Sequence, residues 1–199
     1  MLKNMNVSKK HSLSTQISWA MLGAMAFVVM QFAFPILPAF PYLKMDLSDI
    51  IVAAAAMIYG PVGAAVIALI KATLDFLIKG ANPMTLVGDI AAFAASVSFA
   101  LPLYYMTKKK LNFANKIIGL VLGTLVLTVV LSVLNYFIIT PLYITLAGFK
   151  LSTSLLNYIL FTIVPFNLVK GLVLSLATFA LMSAVIPILK RYSKRNNER

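Results

Sequence analysis

Ile117–Ile139, IIGLVLGTLVLTVVLSVLNYFII, is the stretch on which the fold turns. It has 23 residues, no charge, and one amide near its end. A helix needs about 20 apolar residues to cross a bilayer, so this run predicts a transmembrane helix. The rest of the chain repeats the pattern. Further apolar segments run roughly over Ile17 to Phe34, Leu47 to Tyr59 (short), Pro61 to Ile78, Thr85 to Met106 and Pro165 to Leu189. The chain is 61% hydrophobic and 11% charged, where a soluble domain carries about 25% charged residues. No second composition regime appears. The expected fold is all-α: an integral membrane bundle of six transmembrane helices in one domain, 1–199. Residues 1–14 and 191–199 are expected to be basic tails.

The breaks have chemistry of their own. Pro35, Pro38 and Pro41 end the first helix and stiffen its connection to the second. Gly60-Pro61 makes a minimal turn between segments 2 and 3, and Asn82-Pro83 leads into segment 4. Pro141 is expected to close segment 5. Pro165 suits the first turn of segment 6, with Leu155 to Val164 as a helical turn or two before it. Ala24-Met25-Ala26 fits a signal-cleavage pattern, but the apolar run continues past it to Phe34. That run is read as a helix and not as a removable signal.

Orientation follows from charge. Twelve of the 17 Lys and Arg residues fall at the N-terminus (Lys3, Lys9, Lys10), in the 107–116 loop (Lys108, Lys109, Lys110, Lys116) and in the tail (Lys190, Arg191, Lys194, Arg195, Arg199). With six spans these stretches share a side, against Lys44, Lys79 and Lys150 on the other. Cytoplasmic loops are enriched in Lys and Arg, so both termini are expected to be cytoplasmic. The basic residues punctuate apolar spans and carry no reader motif, so no nucleic-acid partner is expected.

This topology assigns depths. Gln31, Asp49, Asp75, Asp89, Asn135, Asn167 and Lys170 all fall in the outer half; Lys71 lies near mid-membrane. The inner half holds hydroxyls such as Thr124 and Ser175, which can bond their own helix. Ions and amides are costly in hydrocarbon and face a cavity or each other. One such group per helix in the outer half outlines a pocket open to the outside, the shape of a receptor. Each group has a plainer reading. Lys71 and Asp75, four apart, suit a structural ion pair or a ligand contact. Asp49 and Asp89 suit the N-terminal ends of their helices, and Gln31 suits the interface. Asn167 and Lys170, three apart, share a face, and no acid lies near Lys170 in sequence. The 34–44 connection, with Phe34, Phe40, Tyr42 and Lys44, reads as an aromatic belt or as a stiff lid over the pocket.

Several chemistries are absent from the sequence. There is no cysteine, no G-x-x-x-x-G-K-[ST] phosphate loop and no H-E-x-x-H; the only histidine is His11. No enzyme is expected, and ATP hydrolysis by a phosphate loop is excluded. No cofactor or metal is expected. Ala20-x-x-x-Ala24, with Gly23 beside it, puts small residues on one face of the first helix in the inner half. Such faces let helices approach closely, either within the chain or against a partner.

The residues Phe40-Pro-Tyr-Leu-Lys-Met-Asp-Leu-Ser-Asp49, Tyr59-Gly60-Pro61 and Pro165-Phe-Asn-Leu-Val-Lys-Gly171 resemble the S components of energy-coupling factor (ECF) transporters, above all the riboflavin-binding type. The resemblance spans nearly the whole chain. Gly88-Asp89 departs from the Gly-Glu of many relatives. The resemblance implies a bacterial cell-membrane subunit that binds its vitamin outside and associates with a transmembrane coupling protein and two ATPase subunits. It then topples in the lipid to release the vitamin. Ala20, Gly23 and Ala24 look like the family's docking motif. Riboflavin suits the expected pocket: its pyrimidine edge alternates acceptors with an N–H donor, which an Asn amide matches. The expected contacts are Asn135, Asn167 and Lys170, then Lys44, Asp46, Phe40 and Tyr42. The rivals are another vitamin, or a self-sufficient ion-coupled carrier with its ion site at Lys71 and Asp75.

Overall fold

The computed structural model describes residues 12–38 and 40–197, with only the backbone given for 185–197. Lys3, Lys9, Lys10 and His11 lie outside the described residues, as do the side chains of the basic tail. The chain is mostly helical. Helix α1 (Leu13–Met30) leads through two paired two-residue strands, β1 (Phe34–Pro35) and β2 (Lys44–Met45), to α2 (Asp49–Ile78) and α3 (Pro83–Thr107). Helix α4 (Phe113–Leu134) continues through a π-helical turn (Asn135–Ile139) into α5 (Thr140–Ala147). The short α6 (Leu155–Tyr158) continues through a second π-helical turn (Ile159–Ile163) into α7 (Val164–Asn197).

Among the described residues, five helical runs are long and apolar enough to cross a membrane: Leu13–Met30, Asp49–Ile78, Pro83–Thr107, Phe113–Ala147 and Leu155–Ala184. Expected segments 2 and 3 both lie within α2, which is broken at Gly60 (φ 75°, ψ −171°). Only glycine adopts that conformation without strain, and Pro61 follows it where no preceding helical hydrogen bond is needed. Asn82, Asn112 and Ser154 each accept a backbone N–H at the start of α3, α4 and α6, supplying orphan donors with a partner.

Pro141 does not close its helix. The turn before it widens, with Thr140 N–H bonding Asn135 C=O five residues back. Proline lacks an N–H and crowds the carbonyl four residues earlier; a widened turn removes that conflict and lets the helix run on. Pro165 is treated identically, with Val164 N–H bonding Ile159 C=O. The expected extra turns at Leu155–Val164 are therefore the first part of the last helix.

The interior is built for close approach. Ala53, Ala55, Ala56, Ala64 and Ala68 of α2 are buried around Trp19, Phe99 and Leu103. A Cβ on Gly123 would lie 2.7 Å from Phe99 O, and one on Gly171 2.5 Å from Thr124 Cγ2. Those two glycines bring α4 against α3 and α7. Outward positions are apolar instead of polar: Val121, Leu125 and Val129 lie four apart along α4 and are all exposed. A soluble bundle would place polar residues there; lipid accepts apolar ones.

Candidate functional site

A cavity of about 530 Å³ opens between the covering 31–46 segment and the helices, within the ~300–1,000 Å³ range of small-molecule sites. Three expected contacts meet in it. Asn135 and Asn167 are buried and line it together with Lys170. Asn135 anchors its amide by donating to Leu131 O (2.8 Å) and accepting from Thr140 Oγ1 (3.3 Å). The π-helical turn that begins at Asn135 thus both accommodates Pro141 and sets this side chain.

Lys170 does have an acid, from far along the chain. Its Nζ lies 3.4 Å from Asp49 Oδ2. Asp49 belongs to a buried network around Lys71, which is 0% exposed. Lys71 Nζ donates to Ser48 Oγ (2.6 Å), Asp49 Oδ1 (2.7 Å) and Asp46 Oδ2 (3.1 Å). Asp46 also accepts from Ser48 N and Oγ, each at 2.8 Å, and Ser96 Oγ donates to Asp49. Two carboxylates and two ammoniums make a neutral set, the condition for burying charge. The expected Lys71–Asp75 pair is not formed. Asp75 accepts instead from Lys79 (2.8 Å) and Gln31 (2.8 Å) at the cavity rim. Lys71 reaches back toward the start of α2, where two acids wait, while Lys79 takes the i+4 position on Asp75. Asp49 is likewise no bare helix-end charge.

The 31–46 segment is a folded cover. β1 pairs with β2, Leu43 and Met45 are buried, and Tyr42 stacks on Tyr143 at 4.4 Å between ring centroids. Tyr42 also shares a hydrogen bond with Tyr158. Burial pushes its hydroxyl above the ordinary phenol range, so it stays neutral. Tyr42, Lys44 and Asp46 line the cavity. Phe40 does not. It packs behind Tyr42 on Tyr158 and Phe149 (5.2 and 6.0 Å between centroids), because the turn at 41–43 directs Tyr42 inward. Phe40 and Tyr42 therefore belong to the cover, while Phe34 is exposed as a belt residue would be.

Other lining residues were not among the expected ligand contacts. Gln31, Asp75 and Asp89 are among the outer-half groups expected to outline a pocket, with an interface, an ion pair and a helix end as their plainer readings; all three line the cavity, with Asp75 and Asp89 buried. Tyr143 fell beyond the expected end of its helix. Leu131, Asn135, Ile139 and Tyr143, spaced by four, all line the cavity. That spacing is the signal that continuing the helix past Pro141 would have revealed. On α1, Ala20 and Ala24 are exposed. Gly23 is buried, and a Cβ there would strike Ile70 at 2.5 Å. It serves packing of α1 on α2 and does not share the exposed face.

Known proteins agree with this geometry. The model of the ECF transporter substrate-specific component matches residues 17–182. The chain is 38% identical over 178 residues to the riboflavin transporter RibU of Staphylococcus aureus, covering 88% of this chain and 92% of that protein. It is also 38% identical over 159 residues to the riboflavin transporter FmnP of Bacillus subtilis, covering 78% and 83%. A solved S component of a bacterial ECF transporter superposes with a TM-score of 0.75 at 37% identity, over 89% of this chain and 98% of that one. The five apolar helical runs, the covered cavity and the matched family model lead to one conclusion: this chain belongs to the substrate-specific components of ECF transporters, membrane transport subunits and not enzymes.

Proposed function

We propose that the chain is the riboflavin-binding subunit of an ATP-driven ECF importer in the bacterial cell membrane. It takes the vitamin from outside and delivers it with a transmembrane coupling protein and two ATPase subunits. The observation that carries this is the meeting of Asn135, Asn167 and Lys170 in one cavity, in a chain 38% identical to riboflavin transporters. Two amides and an ammonium supply the alternating donors and acceptors that a flavin's pyrimidine edge requires. Lys44, Asp46 and Tyr42 close the site from above, and Phe40 supports Tyr42. Asp46 acts through Lys71, since both its oxygens are already engaged. An ion-coupled carrier required Lys71 and Asp75 to act together, and they pair elsewhere.

The reading counts the two arms of α2, on either side of Gly60, as separate spans in a single substrate-binding domain, 1–199. Six spans return both termini to the cytoplasm and put the basic 107–116 loop and tail beside the basic N-terminus, as the charge rule requires. Five spans would set the N-terminus opposite that loop and tail. In this otherwise cysteine-free chain, a cysteine at Asn112 should be shielded from impermeant reagents in intact cells, and one at Lys150 should react.

The test of ligand identity is flavin fluorescence on mixing with purified protein, with mass spectrometry of any small molecule that co-purifies. Quenching to a one-to-one endpoint is expected; a different bound vitamin would overturn the flavin reading. The exposed Ala20–Ala24 face is the proposed docking surface. Ala20→Trp or Ala24→Trp should spare flavin binding by the isolated chain, abolish uptake and lose the coupling subunits on co-purification. Binding lost together with transport would instead make that face an internal one.

A further inference from the structure

We infer that a second cavity, on the far side of the cover, holds the phosphate headgroup of an anionic lipid, and that this lipid keeps the cover closed. The cavity measures about 270 Å³ and shares no lining residue with the first. Its inner wall is formed by Phe40 and Tyr158, the two rings that back Tyr42. Two kinds of surface meet there. Phe161 lines one side and is 78% exposed, with Leu156 and Leu160 exposed beside it. All three lie on a run that is apolar and long enough to cross the membrane, where outward apolar side chains face acyl chains. The other side is polar, with Lys150, Ser152 and Asn157.

The charge selects the occupant. Lys150 forms no ion pair among the described residues, whose four acids are gathered around the other cavity. An ammonium, a hydroxyl and an amide together offer the donors that a phosphate accepts. A free phosphate would leave the apolar side uncovered; a phospholipid fills both. The cavity is also joined to the cover. Phe149, next to Lys150 in the chain, packs on Phe40, Tyr42 and Tyr158 at 6.0, 5.4 and 6.1 Å between ring centroids. A headgroup that holds Lys150 therefore holds Phe149 against the cover. Phe40 belongs to the cover, so the cavity is complete only while the cover is down. A ligand that binds one of two states shifts the protein toward it, so the lipid slows opening. The lipid site stands apart from the flavin reading; its effect on vitamin release rests on that reading.

Two measurements on the full chain test this. Native mass spectrometry after mixing with phosphatidylglycerol and phosphatidylcholine should show a phosphatidylglycerol retained by wild type and lost from Lys150→Gln and Asn157→Leu. In nanodiscs, adding phosphatidylglycerol to phosphatidylcholine should slow flavin dissociation from wild type about fivefold, the scale of one lysine at an anionic surface. Lys150→Gln should abolish that slowing. Lys109→Gln, which removes an exposed cation from another loop, should keep it. In lipid-free detergent all three chains should release flavin alike, which controls for folding, and inorganic phosphate should not replace the lipid. Lipid retention unchanged in both Lys150→Gln and Asn157→Leu, or a release rate indifferent to phosphatidylglycerol, would overturn the inference. So would inorganic phosphate slowing release as well as the lipid does, since that marks a site for free anions. A wild-type chain that binds no flavin in any medium would condemn the flavin reading, and the retained lipid would still decide the site.

Discussion

The two buried acid clusters of this chain differ in how they are completed. Around Lys71, every carboxylate oxygen of Asp46 and Asp49 faces a donor or cation; even Asp49 Oδ2, which has no hydrogen bond, faces the Lys170 ammonium at 3.4 Å. Around Asp75 and Asp89, both oxygens of Asp75 accept from Lys79 and Gln31, and Asp89 leans on Asp75, with its Oδ2 buried and without a donor among the described residues. Buried charge closed by the protein itself holds structure in place. A buried carboxyl with no cation of its own leans on its neighbour instead. The closed cluster ties the cover, through Asp46, to the start of α2 and to a lysine that lines the cavity. Cover and site are therefore set by one electrostatic unit.

The comparison breaks most severely at Lys71. Lys71→Met would leave Asp46 and Asp49 buried with only Lys170 to balance them. Removing one member of such a network costs about 3–5 kcal/mol, so the variant should melt far lower in detergent and bind little flavin. Adding Asp49→Asn should restore part of the loss by removing the excess charge. A melting temperature unchanged in the single variant would mean that the cluster is not closed. Next in size are Asn167→Ala and Lys170→Met, with an expected loss of about 1–3 kcal/mol of flavin affinity each. The ligand-free melting temperature should stay near wild type for Asn167→Ala; for Lys170→Met it should fall, since the buried set loses a cation, but by less than for Lys71→Met, because Asp49 keeps Lys71 and Ser96. If both variants titrate like wild type, these residues do not hold the ligand.

The contrast between the clusters was only half legible in the sequence. Apolar runs, proline and glycine breaks and loop charge gave the helices, since these follow from local composition. Asn135, Asn167 and Lys170 stood out because a lone polar group in hydrocarbon needs a reason. Pairing did not stand out. Lys71 and Asp75 sit at ideal helical spacing, yet Lys71 bonds residues 22 and 25 positions earlier. A long side chain reaches whichever acid the tertiary packing presents, and spacing along one helix is silent about that. Pro141 misled for a related reason: a π-helical turn, invisible in residue type, absorbs it. Tyr143 and the far end of the cavity were lost with it.

A smaller effect is expected at the cover. Tyr42→Phe keeps the stack on Tyr143 and removes the hydrogen bond with Tyr158. Net losses for one neutral bond are about 0.5–1.5 kcal/mol. If the cover confines the ligand, the loss should appear as faster flavin dissociation, read by stopped-flow, with the association rate nearly constant. A slower association with unchanged dissociation would place Tyr42 outside the closing movement.

The smallest effect is expected at Lys79, and it sharpens the comparison most. Lys79 Nζ lies 2.7 Å from Asp75 Oδ1, closer than Lys71 lies to Asp46, so distance alone ranks the two pairs alike. Their surroundings do not. The Lys79 side chain is 40% exposed, whereas that of Lys71 is 0% exposed. Water already solvates the Lys79 ammonium, and salt screens what remains of its attraction to Asp75. Exposed pairs of this kind contribute between nothing and about 1 kcal/mol. Lys79→Gln should therefore lower the melting temperature barely at all, and the difference from wild type should shrink further as salt is raised. The glutamine amide can still donate to Asp75, so the rim stays hydrogen-bonded. A destabilisation as large as that of Lys71→Met would mean that Asp75 depends on Lys79 as Asp49 depends on Lys71, and that the second cluster is closed as well.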